Sequence, residues 1–310
     1  MTARTASTGW PALLPYDGWA ATCDTLHLHA QVLGKLALAL AHPERQLQHA
    51  ALRLTARGWE TSPLPSPDGG GSIVVALDLR DHVALVEHSN GLAFRIPLRP
   101  DRSVADVTAD VLESVRACAG EVAITTTPQE VPWQTPLDSD TEHATYEAAL
   151  VESYFLAATQ AARVLAEFRA PYSGRATPVN AWWGSFDLAV TLFSGLPADP
   201  PSDGFLYRNG MNAEEIAVGW WPGDHRHPRA AFFAYAYPSP PGLEEADPAS
   251  GRWDPELGEF LLDWDDVRSD PEPAASALDF YRSFAREALR LGGWDPRLAA
   301  SLEGVPPPIA

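Results

Sequence analysis

The chain has 310 residues, of which 45% are apolar and 20% charged, and it carries a formal charge of −19. That is enough apolar material for one large core or two ordinary ones. The acidity argues against a nucleic-acid partner, because backbone binding relies on clustered Lys and Arg. No segment reaches the ~20 apolar residues of a spanning helix.

The opening residues MTARTASTGWPALLPYDGW show no apolar run of the kind a secretory leader needs, so a soluble cytoplasmic chain with no membrane partner is expected. Cys23 and Cys118 lie far apart in apparent helices and read as buried, inert thiols. Between Gly242 and Pro273 there are eleven Asp and Glu against two Arg, the composition of a solvated surface. Asp263, Asp265 and Asp266 begin like a calcium loop, but the turn glycine is missing and Ala274 stands where the closing Glu belongs.

Residues 1–10 read as disordered. Asp17 is placed to cap a helix running to about Leu40, where His42-Pro43 ends it. His27, Gln31 and Lys35 are four apart and stack on one face of it, amid leucines on most of the circumference. His49 to Arg57 alternates like a strand, and Ser72–Leu79, Val83–His88 and Leu92–Leu98 read as a meander. Ser103 caps an amphipathic helix that stops at Gly120, and Glu121–Thr127 reads as a further strand. Residues 128–140 are the candidate linker, which sets the first unit at 11–127, the second at 141–294 and a tail at 295–310.

The second unit opens with a helix to about Arg169. In PVNAWWGSFDLAVTLFSG, Trp182, Phe186, Leu188, Val190 and Leu192 share one face by period two; Trp183, Ser185, Asp187 and Thr191 share the other. Ile216–Trp221, Ala230–Tyr237 and Glu259–Val267 read as strands, and Pro273 starts a last helix. The fold class is therefore α+β: two similar helix–four-strand–helix units, antiparallel sheets packed by helices. Their shared order suggests an internal duplication, with Pro178–Gly195 the counterpart of His49–Pro65.

The phrases TLHLHAQVLGKLALAL, RGWETSPLP, PVNAWWGSFDLAVTLFSG, GWWPG and FFAYAYPSP, in this order, resemble those of a family of bacterial proteins of unknown function. The resemblance spans about Trp10 to Trp294 and implies no activity, cofactor or substrate. It implies that His27, Gln31, Lys35, Ser62, Pro63, Trp183, Ser185, Asp187 and Trp221-Pro222-Gly223 belong to the family pattern. His29 and Gln48-His49 depart from it, standing where aromatics are expected.

Signatures of known chemistry are mostly absent. Gly69-Gly70-Gly71 lacks the Lys-Ser/Thr of a phosphate loop, and Gly184-Ser185-Phe186 does not complete a nucleophile elbow. His225 and His227 with Asp224 sit on a hairpin tip, which reads as surface, so no metal is assigned. The strongest constellation is His27, Gln31 and Lys35 facing Asp187 and Ser185. Burial would make Lys35 a base or nucleophile and His27 its proton carrier, with Asp187 as the third member. The simpler arrangement is Lys35 paired with Asp187 or another acid. Gln160, Trp183 and Trp221 complete the ligand-binding set, since aromatic strand residues can line a groove for a flat ligand. Two functions follow: a small-metabolite binding protein or enzyme with a polar-aromatic pocket between the units, or a noncatalytic acidic protein–protein interaction module. Cofactor, reaction type and oligomeric state stay open.

Overall fold

In a computed structural model that describes residues 10–304, the first half comprises α1 (Ala20–Leu40), β1 (Arg53–Leu54), β2 (Gly58–Glu60), β3 (Leu64–Pro65), β4 (Ser72–Asp78), β5 (Val83–His88), β6 (Ala93–Pro97) and α2 (Val104–Ala119). The expectation for residues 1–9 lies outside the described residues. The second half comprises α3 (Ala148–Arg169), β7 (Asn180–Trp182), β8 (Asp187–Pro197), α4 (Phe205–Gly210), β9 (Ala213–Trp221) and β10 (Ala231–Tyr237). It continues through β11 (Arg252–Asp254), β12 (Glu259–Asp263), α5 (Trp264–Arg268), α6 (Pro273–Leu291) and α7 (Pro296–Leu302). Among the described residues no helix is long and apolar enough to cross a membrane.

The protein is thus α+β with two antiparallel sheets, each of six strands rather than four. The first has the order β1-β2-β4-β5-β6, with β3 beside β4; the second runs β11-β12-β10-β9-β8-β7. They meet edge to edge, where Leu52 and Ala181 exchange backbone hydrogen bonds of 3.0 and 2.9 Å. That bridge joins the two segments expected to be counterparts. The extra strands are two or three residues long, too short to leave an alternation signal.

The helices form where period and caps demand. Ser103 Oγ accepts from the Asp106 N–H at 3.1 Å, the Asp106 carboxylate accepts from the Ser103 N–H at 3.0 Å, and Gly120 ends α2 at φ 98°. The cap on α1 differs from expectation: Asp17 lies in a short 3₁₀ turn, Tyr16–Gly18, and the helix starts after Trp19 without a side-chain cap. His49 belongs to another 3₁₀ stretch, Arg45–Ala50, with Gln46 and Leu47 at φ 50° and 53°. Glu121–Thr127 joins no sheet, and Glu259–Val267 divides into β12 and α5.

α1 packs on β4, α2 on β5 and β6, α3 on β8 and β9, and α6 on β9 and β10. One core runs through both halves, from Leu28 and Val75 to Val190, Trp220 and Phe284. Residues of the 128–140 segment join it: Leu137 and Asp140 are fully buried. Cys23 and Cys118 are buried and free. In the second sheet Leu188, Val190 and Leu192, Ile216, Val218 and Trp220, with Phe232 and Leu262, all face this core. The opposite face carries its own buried cluster, Ala189, Trp221, Ala231, Phe233 and Leu261. A sheet buried on both sides needs a second cover, and the candidate site lies beneath it.

Candidate functional site

Strand alternation places Asp187, Ala189, Thr191 and Phe193 of β8, Glu215, Ala217 and Trp221 of β9, Phe233 and Tyr235 of β10, and Glu259 of β12 on one surface. Together they floor a cavity of about 450 Å³. Its walls come from both halves: Gln46, Leu47 and Gln48 before β1, Gln129 and Glu130 after α2, α4, and Arg226 in the β9–β10 connection. Small side chains at Ala189 and Ala217 leave the space open. At Gly219 a Cβ would stand 2.2 Å from the Phe233 ring, so only glycine lets that ring lie across β9. Behind it, the Tyr281 hydroxyl donates to the Gly219 carbonyl at 2.7 Å and fixes the strand from the core side.

The Trp182–Asp187 pair closes a hairpin whose turn, Trp183–Phe186, resets the alternation. Trp182 therefore lies with the cavity-face cluster, opposite Asp187, and not with Leu188 as period two predicted. Phe186 sits at φ 59°, a conformation bulky residues rarely adopt. Its ring is locked by stacking on His27 and Tyr154, at centroid distances of 4.8 and 5.3 Å.

The polar stripe of α1 holds this wall in place. His27 Nε2 lies 2.9 Å from the Trp183 carbonyl and 3.0 Å from that of Gly184. Carbonyls only accept, so Nε2 carries the proton. Burial pushes His27 down to about 4, leaving the ring neutral. Gln31 pairs with one backbone unit twice over: its Nε2 donates to the Gln129 carbonyl at 2.8 Å, and its Oε1 accepts from the Gln129 N–H at 2.9 Å. This seats Glu130, at φ 57°, against Gly184, where a Cβ would collide with its carboxylate. Lys35 is buried and pushed down to about 8 by desolvation. Its Nζ donates to Thr125 Oγ1 at 3.4 Å and lies 5.5 Å from the Trp183 ring centroid. The Trp183 indole lies flat on Gly34, where a Cβ would approach within 2.1 Å, and its Nε1 donates to the Ala50 carbonyl at 3.0 Å.

The predicted site residues are thus divided. Trp183, Ser185, Asp187 and Trp221 line the cavity; His27, Gln31 and Lys35 stand behind its wall. Lys35 is not brought to Asp187: among the described residues no carboxylate pairs with it, and Trp183 is its neighbour. Gln160 is on α3, which packs on the core side of the second sheet, where it accepts from Arg163 at 3.0 Å. His227 donates toward Asp263 at 2.9 Å, a contact that ties the β9–β10 connection to the end of β12.

Glu130, Glu215, Glu259 and Arg226 were not foreseen as site residues; Tyr235, one of the strand aromatics, joins them. Burial lifts Asp187 to about 7, with Glu130 adding to the effect and the Ser185 hydroxyl, which donates to Asp187, opposing it. Glu215 is lifted to about 8 by burial against the pull of Arg175. Glu259 is lifted to about 8 by burial and by Asp187, against Arg226. Tyr235 is held well above its ordinary range by burial and by these carboxyls. Arg226 is bound by Asp224, with Nε and Nη2 at 3.0 and 2.6 Å from Oδ2. Such a site can exchange protons near neutrality or receive positive charge. Among the described residues no three His, Cys, Asp or Glu side chains converge closely enough to hold a metal ion.

No curated protein and no solved structure matches this chain. The profile of a family of unknown function (DUF5996) matches residues 10–301, nearly the whole sequence, and the chain belongs to that family.

Proposed function

We propose that the chain binds a small organic molecule in the cavity on the outer face of its second sheet. One observation carries this reading: a sheet otherwise closely covered on both sides keeps about 450 Å³ open over buried carboxyls and aromatic rings. Interiors are packed nearly as densely as organic crystals, and a void of this size is that of a ligand pocket. The α1 stripe supports the reading by fixing both the Trp183–Gly184 turn and the Gln129–Glu130 segment, the arrangement that preorganises a site.

A thermal-shift screen of a diverse small-molecule library tests it, with Ala217→Leu as the cavity-filling control. Hits should raise the Tm of the wild type and lose most of that effect in the variant. Equal shifts in both proteins, or no hit at all, contradict the proposal.

A second reading, acid–base catalysis on the bound molecule, is favoured by Asp187, whose carboxyl at about 7 is poised for proton transfer. Under it, Asp187→Asn keeps ligand affinity and abolishes turnover. The exposed Phe205, Leu206 and Tyr207 on α4, which an interaction module would use, stand at the rim of the same cavity and serve the binding reading equally well. The two free thiols suit a reducing cytoplasm.

A further inference from the structure

Resting on the binding reading above, we infer that the ligand is an organic cation, a protonated amine, guanidine or quaternary ammonium carried on a flat apolar body. Glu215 is 4% exposed and lines the cavity, yet among the described residues its carboxyl has no hydrogen-bond or ion-pair partner. Glu259, also lining the cavity, has none either. Buried carboxyls in natural structures are paired or hydrogen-bonded, because leaving one unmet is costly. The cations nearby are already engaged. Arg226 is held by Asp224; Arg175 stacks over Phe193 at 4.2 Å and donates to Gln46; Lys35 stands behind Trp183.

The lining therefore brings the carboxyls of Asp187, Glu215, Glu259 and Glu130 together beside Trp183, Trp221 and Tyr235. That combination favours a cation twice, by charge and by the ring quadrupole. A neutral polyol would need donors and acceptors in alternation, and an anion would meet four carboxyls. The charged group acting on Glu215 is Arg175, on the edge of the same face; Asp187, Glu259 and Glu130 act with Glu215 on Tyr235, and Arg226 acts on Glu259. An arriving cation displaces protons from these carboxyls, so the proton balance closes with release to the buffer.

The test is isothermal titration calorimetry on the full chain with a panel of aryl quaternary ammonium, aryl guanidine and benzylamine compounds, each beside its neutral and anionic isosteres. Cations should bind and their neutral isosteres should bind at least tenfold more weakly. A quaternary ammonium, which does not titrate, should bind more tightly at pH 8.5 than at pH 6. Titrations at pH 7 in buffers of different ionisation enthalpy should show protons released. Glu215→Gln, an isosteric change, should cut cation affinity at least tenfold, and Glu259→Gln serves as the second variant. Neutral or anionic compounds that bind in the cavity while cations do not would overturn this inference and leave the binding proposal standing. Cation affinity unchanged in both variants would overturn it too. No binding in any class overturns both.

Discussion

On the outer face of the first sheet, Glu60 and Glu87 both meet Arg57, at 3.2 and 2.9 Å, and in the adjoining turn Asp81 meets Arg95 at 2.7 Å. On the outer face of the second sheet, Glu215 and Glu259 form no ion pair among the described residues, and Asp187 accepts from the Ser185 hydroxyl. The two faces have similar architecture, and the first even has a small buried cluster of its own, Ala76, Val83 and Leu85. The difference lies in the cover. Only half-covered, the acids of the first face reach an arginine. Beneath α4 and the Gln129–Glu130 segment, the acids of the second are desolvated and held toward their protonated forms.

The largest effect that separates the two faces should come from Trp183. Its indole is wall, contact for Gly34 and donor to Ala50, so Trp183→Ala should cost about 3–5 kcal/mol in urea unfolding and abolish binding. A loss below about 1 kcal/mol would mean that the wall is not built on α1.

Next comes a matched pair of isosteric changes. Glu215→Gln removes a group whose pKa is raised from 4.5 to about 8 on folding. The stabilisation linked to such a group is fully present below the unfolded pKa and is lost as pH rises through the folded one. The wild type should therefore fall behind Glu215→Gln between about pH 4.5 and 8, by up to about 1.4 kcal/mol per pH unit. Glu87→Gln on the first sheet breaks a half-exposed ion pair and should cost about 0.5 kcal/mol. Parallel pH profiles of the wild type and Glu215→Gln would erase the contrast.

Gln31→Leu sharpens how the cover is held. It strands one backbone N–H and one C=O of Gln129, and about 1–3 kcal/mol should be lost together with tight ligand binding. Unchanged affinity would show that the Gln129–Glu130 segment is no part of the site. The smallest effect is expected for Arg95→Ala, below about 1 kcal/mol, since its ion pair with Asp81 is exposed.

Much of this was legible in the sequence where one element suffices to make the signal. The capping box at Ser103, the core face Leu188, Val190 and Leu192, and the stripe of His27, Gln31 and Lys35 are periodic features of single elements. What the stripe meets does not follow from that pattern: its place against the Trp183 turn, and its grip on backbone instead of Asp187, depend on the turn. The sharp reversal at Phe186 changes which residues share a face, and no period reveals it. Glu130, Glu215 and Glu259 come from three distant segments that only the second sheet and its cover bring together. One signal was present. In β9, Ile216, Val218 and Trp220 are apolar, while Glu215, Ala217, Gly219 and Trp221 alternate with them as small or aromatic residues around one acid. A strand apolar on both faces is covered on both, so an acid on the second face lies under a cover.

The most direct test is the titration of Glu215 itself, followed by carboxyl-selective carbon NMR of the full chain with Glu215→Gln to assign the resonance. The account predicts a midpoint near 8 in the free protein and a fall of at least one unit when an organic cation is bound. A midpoint at its ordinary value of 4.5 in the free protein would contradict it, because the carboxyl would then already be solvated or paired.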